Sequence, residues 1–76
     1  MKVIWESADI VAGRRYSREG LNDTWLIGYL SNETTEKRYV SISMSDGLVT
    51  LPKTKETLAY ELTENGYVPV ELLGKK

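Results

Sequence analysis

The stretch that decides the fold is RYVSISMSDGLVTL, residues 38–51. Its first half alternates apolar with small polar residues, and Val40, Ile42 and Met44 occupy the apolar positions. This period of two is typical of a strand with one buried face. The Asp-Gly pair at 46–47 then predicts a tight turn, because both residues accept the positive φ angles of a type I′ turn. We therefore expect a hairpin with a two-residue turn.

This turn also predicts which residues pair across the hairpin. A two-residue turn places Met44 opposite Val49 and Ile42 opposite Leu51. The four apolar side chains then share one face of the hairpin, and we expect that face to be the buried one. The turn chemistry and the apolar pattern agree on this register, which strengthens the prediction.

The preceding segment, DTWLIGYLS (23–31), is rich in aromatic and β-branched residues and predicts another strand. Its register with the hairpin depends on the loop between them. A four-residue loop places Trp25 opposite Met44 and puts the aromatic side chains in the core. A three-residue loop instead places Trp25, Tyr29 and Tyr39 together on the serine face, as an aromatic ligand platform. The core alternative is favoured, because three-residue hairpin loops usually need a glycine and this loop has none.

The segment after the hairpin predicts a helix followed by a strand at the edge of the sheet. Thr54 is a suitable N-cap, and Asn65 followed by Gly66 is a typical helix end. The apolar residues that share one helical face are Leu58, Ala59 and Leu62. YVPVELL (67–73) then predicts an edge strand, because Pro69 lacks the N–H group that a central strand needs. Its side chains expected to point inward are Val68, Val70 and Leu72.

The N-terminal part predicts two further strands. They are KVIW (2–5) and RRYSR (14–18), and EGLND (19–23) turns the chain after the second. ESADIVAG (6–13) forms either one turn of helix or a loop. The resulting order is β-β-β-β-β-α-β, which predicts a single α+β domain (1–76) built on a small twisted antiparallel sheet.

At the level of the fold, the chain resembles small SH3-like and Tudor-type barrels. The resemblance rests on AGRRYS, DTWLIGYL and YVSISMSDGLVTL, which lie within 12–51, about half of the chain. Such barrels often have an early glycine, a tryptophan that opens the next strand and an Asp-Gly turn before the fourth strand. The resemblance implies a partly open SH3-like barrel, whereas the helix and strand after Pro52 depart from a minimal barrel and favour an open sheet.

Composition and charge argue against several classes of function. The chain has 76 residues, a net charge of −1, no cysteine and no histidine. It therefore lacks thiolate metal ligands, the commonest general base and a histidine that could activate its serines. The glycines form no phosphate-binding motif, and SMSDG (43–47) lacks the acidic density of a calcium loop. We expect a non-enzymatic protein without a metal or a cofactor.

The sequence also predicts where in the cell the protein is located. No apolar run approaches the roughly 20 residues that span a bilayer. The N-terminal MKVIWESADI (1–10) reaches its first acidic residue too soon for a signal peptide. We expect a soluble, cytoplasmic protein with no membrane partner.

The segment AGRRYSREG (12–20) contains the candidate contact surface, which consists of Arg14, Arg15, Tyr16 and Arg18. In an extended chain Arg14, Tyr16 and Arg18 share one face. A basic row with an aromatic residue inside it can hold a phosphate backbone while the ring stacks on a base. The neighbouring acidic residues weaken the local positive field. The segment is therefore either a solvated strand face or a true contact surface.

Three hypotheses about function remain at this point. The leading one is a small interaction module whose partner is another protein. The second is a nucleic-acid-binding module that uses Arg14, Arg15, Tyr16 and Arg18, which we call the arginine-tyrosine cluster. The third is a structural subunit that self-associates, as small domains often must.

Overall fold

A computed structural model gives the structure of the chain and describes residues 2–18, 20 and 23–73. The elements are a 3₁₀ helix at Ser7–Asp9, β1 at Arg15–Arg18, β2 at Trp25–Tyr29, β3 at Tyr39–Ser43, α1 at Lys55–Glu64, β4 at Tyr67–Pro69 and α2 at Val70–Leu73. The strands form an antiparallel four-stranded sheet in the order β3-β2-β1-β4. The predicted α+β class is confirmed, and the sheet does not close into a barrel.

Two of the predicted strands are not strands in the structure. KVIW (2–5) forms no strand, although Trp5 at its end is buried. LVTL (48–51) contributes only an isolated bridge between Val49 and Ile42. Most of the predicted turn at 19–23 lies outside the described residues.

The turn of the hairpin is wider than predicted. Ser43 N–H donates to Leu48 O at 2.8 Å and Gly47 N–H donates to Ser43 O at 2.9 Å, so four residues form the loop. The predicted pairing is therefore wrong by two residues, and Ile42 lies opposite Val49 rather than Leu51. Gly47 has the expected positive φ of 77°, but no described non-glycine residue does, which excludes a type I′ turn. The Asp46 carboxylate instead accepts a hydrogen bond from Leu48 N–H at 3.0 Å.

The register between β2 and β3 is the one that was not favoured from the sequence. Trp25 lies opposite Ser43 and Tyr29 lies opposite Tyr39, as in the three-residue-loop alternative. The ladder stops early, because Leu30 N–H to Arg38 O at 2.7 Å is its last bond. The chain then passes through a longer loop, and this loop does not need the glycine that a tight one would.

The buried face of the sheet is consequently the serine face. Its core cluster consists of Trp5, Ile10, Tyr16, Ile27, Leu58, Ala59 and Leu62. Ser41 and Ser43 are buried as well, and Met44, predicted to lie inside, is 52% exposed. The small serines leave room for α1 and for the large rings of the neighbouring strands, so volume rather than polarity decides which face is covered.

On the opposite face of the sheet, two apolar side chains of β3 pack against a glycine of β2. A Cβ atom added to Gly28 would lie 3.0 Å from Ile42 Cδ1 and 3.0 Å from Val40 Cγ2. The side chains of Val40 and Ile42 therefore lie over the bare backbone of Gly28. Val40 is 4% exposed on this face.

The C-terminal elements follow the prediction except at their end. The Thr54 hydroxyl caps α1 by accepting from Thr57 N–H at 3.1 Å, and Gly66 has a φ of 75° just after the helix. The helix buries the three predicted residues, Leu58, Ala59 and Leu62. β4 lies at an edge of the sheet, as Pro69 predicts. The chain then turns into α2, so Val70 and Leu72 do not continue the strand.

Trp5 ties the N-terminal segment to the end of the fold. Its backbone N–H donates to Thr63 Oγ1 at 2.8 Å, and its indole N–H donates to Tyr67 O at 2.9 Å. The ring lies edge-to-face with Tyr16 at a centroid distance of 6.0 Å. In the part of the chain that the structure describes, no helix has the length and apolar character needed to cross a membrane.

Replacing Gly47 tests the turn. Valine at a φ of 77° is strained, so we expect Gly47→Val to lower the free energy of unfolding by roughly 1 to 2 kcal/mol in a urea melt. Gly47→Asn is the matched control, because asparagine accepts this conformation more readily, and it should lower the midpoint less. Equal midpoints for the valine variant and the wild type would show that the turn does not require this geometry.

Candidate functional site

The four residues of the predicted contact surface do not share one surface in the structure. Tyr16 is 2% exposed and lies in the core, where its hydroxyl donates to Ser41 Oγ. Tyr16 lies opposite Trp25 on the covered face, whereas the exposed Arg15 lies opposite Leu26 on the other face. The ring of Tyr16 is therefore not available to stack on a base.

Arg14 and Arg18 contact carboxylates of the same chain. Arg14 Nη1 donates to Asp9 O at 3.0 Å and lies 3.9 Å from Asp9 Oδ1, while its Nε lies 3.8 Å from Glu71 Oε1. Arg18 Nη2 donates to Asp23 Oδ2 at 2.9 Å, and its guanidinium lies 5.1 Å from the centre of the Tyr67 ring. These contacts offset much of the positive charge that the sequence places here.

Four of the eight exposed large hydrophobic side chains among the described residues lie on the hairpin edge, which we define as residues 44–51. Its exposed side chains are Met44 (52%), Leu48 (61%), Val49 (54%) and Leu51 (81%). A monomer usually keeps such side chains scattered, and a contiguous group commonly marks a contact with another protein. The sequence pattern predicts Met44, Val49 and Leu51 on the buried face and therefore gives no indication of this exposed surface.

The backbone of the hairpin edge is open on its outer side. Ser43 N–H and Thr50 N–H make the inward hydrogen bonds, to Leu48 O at 2.8 Å and to Ser41 O at 2.9 Å. Val49 lies between these bonded positions, so its N–H and C=O point away from the sheet. Val49 N–H has no backbone acceptor among the described residues.

A bulge ends the hairpin edge on one side. Val49 pairs with Ile42, and Lys53 pairs with Tyr39. The segment from 49 to 53, which we call the outer segment of the hairpin, therefore has one residue more between these pairs than β3 has. Leu51 lies at this bulge, just before Pro52, and is therefore pushed out of the ladder. Pro52 is the sequence signal that indicates the exposed edge. Proline has no N–H group to donate, so a segment that contains it does not pair regularly as a central strand.

A separate cleft lies where α1 begins, beside the ends of β2 and β3. We call it the tyrosine cleft, and its lining residues are Tyr29, Glu36, Arg38, Tyr39, Thr54, Lys55 and Glu56. Its volume is about 340 Å³. The rings of Tyr29 and Tyr39 meet edge-to-face at 5.2 Å, which follows directly from the pairing of these two residues. The structure thus brings together two of the aromatic residues that the platform alternative predicted.

A smaller cleft of about 150 Å³ lies between α1 and the serine face of the sheet. Lys53 Nζ and Glu61 Oε1, 2.8 Å apart, join the outer segment of the hairpin to the helix beside it. Trp25 also lines this cleft, and its buried indole nitrogen has no hydrogen-bond partner among the described residues. The described residues contain no group of three or more acidic side chains that could hold a metal ion.

The burial of Tyr16 predicts how stability depends on pH. Burial raises the pKa of Tyr16 from 10.0 to about 12, so the unfolded chain releases this proton at lower pH than the folded chain. The resulting stabilisation, on the order of 2 kcal/mol, is complete below pH 10.0 and is lost as the pH rises towards 12. Urea melts at pH values below and above 10.0 should therefore show a smaller alkaline loss in Tyr16→Phe than in the wild type.

Tyr60→Phe is the control for this measurement, because Tyr60 is 65% exposed on α1. It should lose the same stability at alkaline pH as the wild type. If Tyr16→Phe and Tyr60→Phe lose equal amounts, the Tyr16 phenol is not the group responsible.

Comparison with protein-family models, with curated proteins and with solved structures finds no match to this chain. What the chain binds is therefore inferred from its own surfaces, the hairpin edge and the tyrosine cleft among them.

Proposed function

We propose that the chain is a small, non-enzymatic, cytoplasmic interaction module that binds another protein through the hairpin edge. The observation that carries the proposal is the group of four apolar side chains, each more than half exposed, on one short segment. Covering them removes apolar surface from water, which is the main driving force of most protein association.

The open backbone supports a particular mode of binding. An extended segment of the partner pairs with Val49 through the outward N–H and C=O groups and so adds a strand to the sheet. The apolar side chains around this pair then contact the partner on both faces of the added strand. The bulge at Leu51 limits the pairing to a short stretch, so the side chains rather than a long ladder supply most of the affinity.

The arginine-tyrosine cluster supports nucleic-acid binding less well. Tyr16 is buried, and Arg14 and Arg18 contact Asp9, Glu71 and Asp23. An incoming phosphate has to compete with these carboxylates at both arginines. Only Arg15 among the four is exposed on the strand.

The test is a pull-down from an extract of the native host with the immobilised chain. We expect at least one protein to bind the wild type and to be lost with the double variant Val49→Glu/Leu51→Glu. Both positions are exposed, so the substitutions should change stability by no more than about 0.5 kcal/mol each. A urea melt of each variant confirms that it is folded.

Tyr60→Glu is the matched control, because it places the same charge on an equally exposed apolar position of α1. It should retain the protein that the edge variant loses. Identical sets of bound proteins for all three chains would contradict the proposal. Sedimentation over a range of concentrations covers the remaining case, since a mass increase that only the edge variant abolishes identifies the partner as a second copy of the chain.

A further inference from the structure

The tyrosine cleft has the size and the ring geometry of a small-molecule site. Its volume of about 340 Å³ lies within the ~300–1,000 Å³ that such sites occupy. Tyr29 is 45% exposed although it meets the edge of Tyr39, so part of its ring remains open to the cleft. An open aromatic ring beside a cavity favours a planar ligand that can stack on it.

The position of the Tyr29 ring is held by Arg38. Arg38 Nε donates to Thr35 O at 3.0 Å, and its Nη1 donates to Tyr29 Oη at 3.0 Å. The guanidinium is therefore fixed at the rim of the cleft between the loop and the phenol. A ring fixed in this way loses little conformational entropy when a ligand stacks on it.

The charges around the cleft are mixed in a way that restricts the ligand. Arg38 and Lys55 supply two cations, and Glu36 and Glu56 supply two carboxylates. Lys55 forms no ion pair with any described residue. The carboxylates repel a simple anion, and Arg38 and Lys55 repel a simple cation. Neither kind of ion therefore interacts favourably with all the charged residues of the cleft. A ligand that carries both N–H donors and negative charge can pair with both kinds of side chain.

We infer that the tyrosine cleft binds a nucleotide. The base stacks on Tyr29, the carboxylate of Glu36 or Glu56 accepts from an amino group on the edge of the base, and Lys55 and Arg38 contact the phosphate. Carboxylates accept from the N4 amino group of cytosine in this way, and stacking on tyrosine is open to every base. A free nucleotide and a nucleotide within a single strand present the same chemistry.

This site is separate from the surface proposed to bind a protein. The seven residues that line the tyrosine cleft and the residues of the hairpin edge (44–51) do not overlap. The inference therefore goes beyond the proposed function, and either can fail without the other.

The experiment is a titration of the ¹⁵N-labelled chain with CMP, cytidine and a short oligocytidylate, followed by amide chemical shifts. We expect CMP to shift the amides of Tyr29, Tyr39 and Lys55 and to bind more tightly than cytidine, which lacks the phosphate. Tyr29→Leu should weaken CMP binding about tenfold, as loss of a stacking ring does. Tyr29→Phe retains the ring but loses the hydrogen bond from Arg38, so its affinity for CMP should lie between those of Tyr29→Leu and the wild type. Lys55→Gln should weaken it roughly threefold, in line with an exposed ion pair.

Two control variants accompany the titration. Tyr60→Leu removes an exposed tyrosine outside the cleft, and Lys2→Gln removes an exposed lysine far from it in sequence. Both should bind CMP like the wild type. An oligocytidylate that binds more tightly than CMP, and loses that affinity in Tyr29→Leu, identifies a single strand as the source, whereas equal affinity identifies the free nucleotide. The absence of shifts with all three probes, equal affinity for cytidine and CMP, or unchanged binding in Tyr29→Leu would each overturn the inference.

Discussion

The hydrogen bond between Tyr16 and Ser41 is the interaction on which the arrangement of the sheet depends. It joins β1 to β3 across the intervening β2, so a buried polar contact connects two strands that are not neighbours in the sheet. The bond is formed only if β3 presents its serines to the core, because the hydroxyl of a buried tyrosine needs a partner. Tyr16 also lies edge-to-face against Tyr67, 5.0 Å away, and so carries the same constraint into β4.

The parts of the fold that the sequence predicts well are those determined by local chemistry. The cap at Thr54, the left-handed Gly66 and the edge position of the Pro69 strand each depend on a few neighbouring residues and hold in the structure. The register of the strands is different, because it depends on which face of a strand packs well against side chains from distant parts of the chain. Val40 and Ile42 are apolar enough to form a core, but Gly28 lets them pack on their own sheet, and the serines go inside.

The candidate sites show the same division. The arginine-tyrosine cluster is visible in the sequence, yet the burial of Tyr16 depends on Ser41 and Tyr67, which are distant along the chain. The alternating apolar residues of the hairpin predict a buried face, whereas the structure leaves the apolar side chains of the hairpin edge exposed. The pairing of Tyr29 with Tyr39 was one of two registers open from the sequence, and only the sheet itself decides between them.

The contact between Trp5 and Tyr67 has a consequence for how the chain folds during synthesis. The two residues are 62 positions apart, and Trp5 is also hydrogen-bonded to Thr63 of α1. Trp5 therefore lacks these contacts in the nascent chain until α1 and β4 have been synthesised. Contacts of such long sequence separation slow folding and prolong the exposure of apolar surface. The core of this domain therefore forms only after both α1 and β4 have been synthesised.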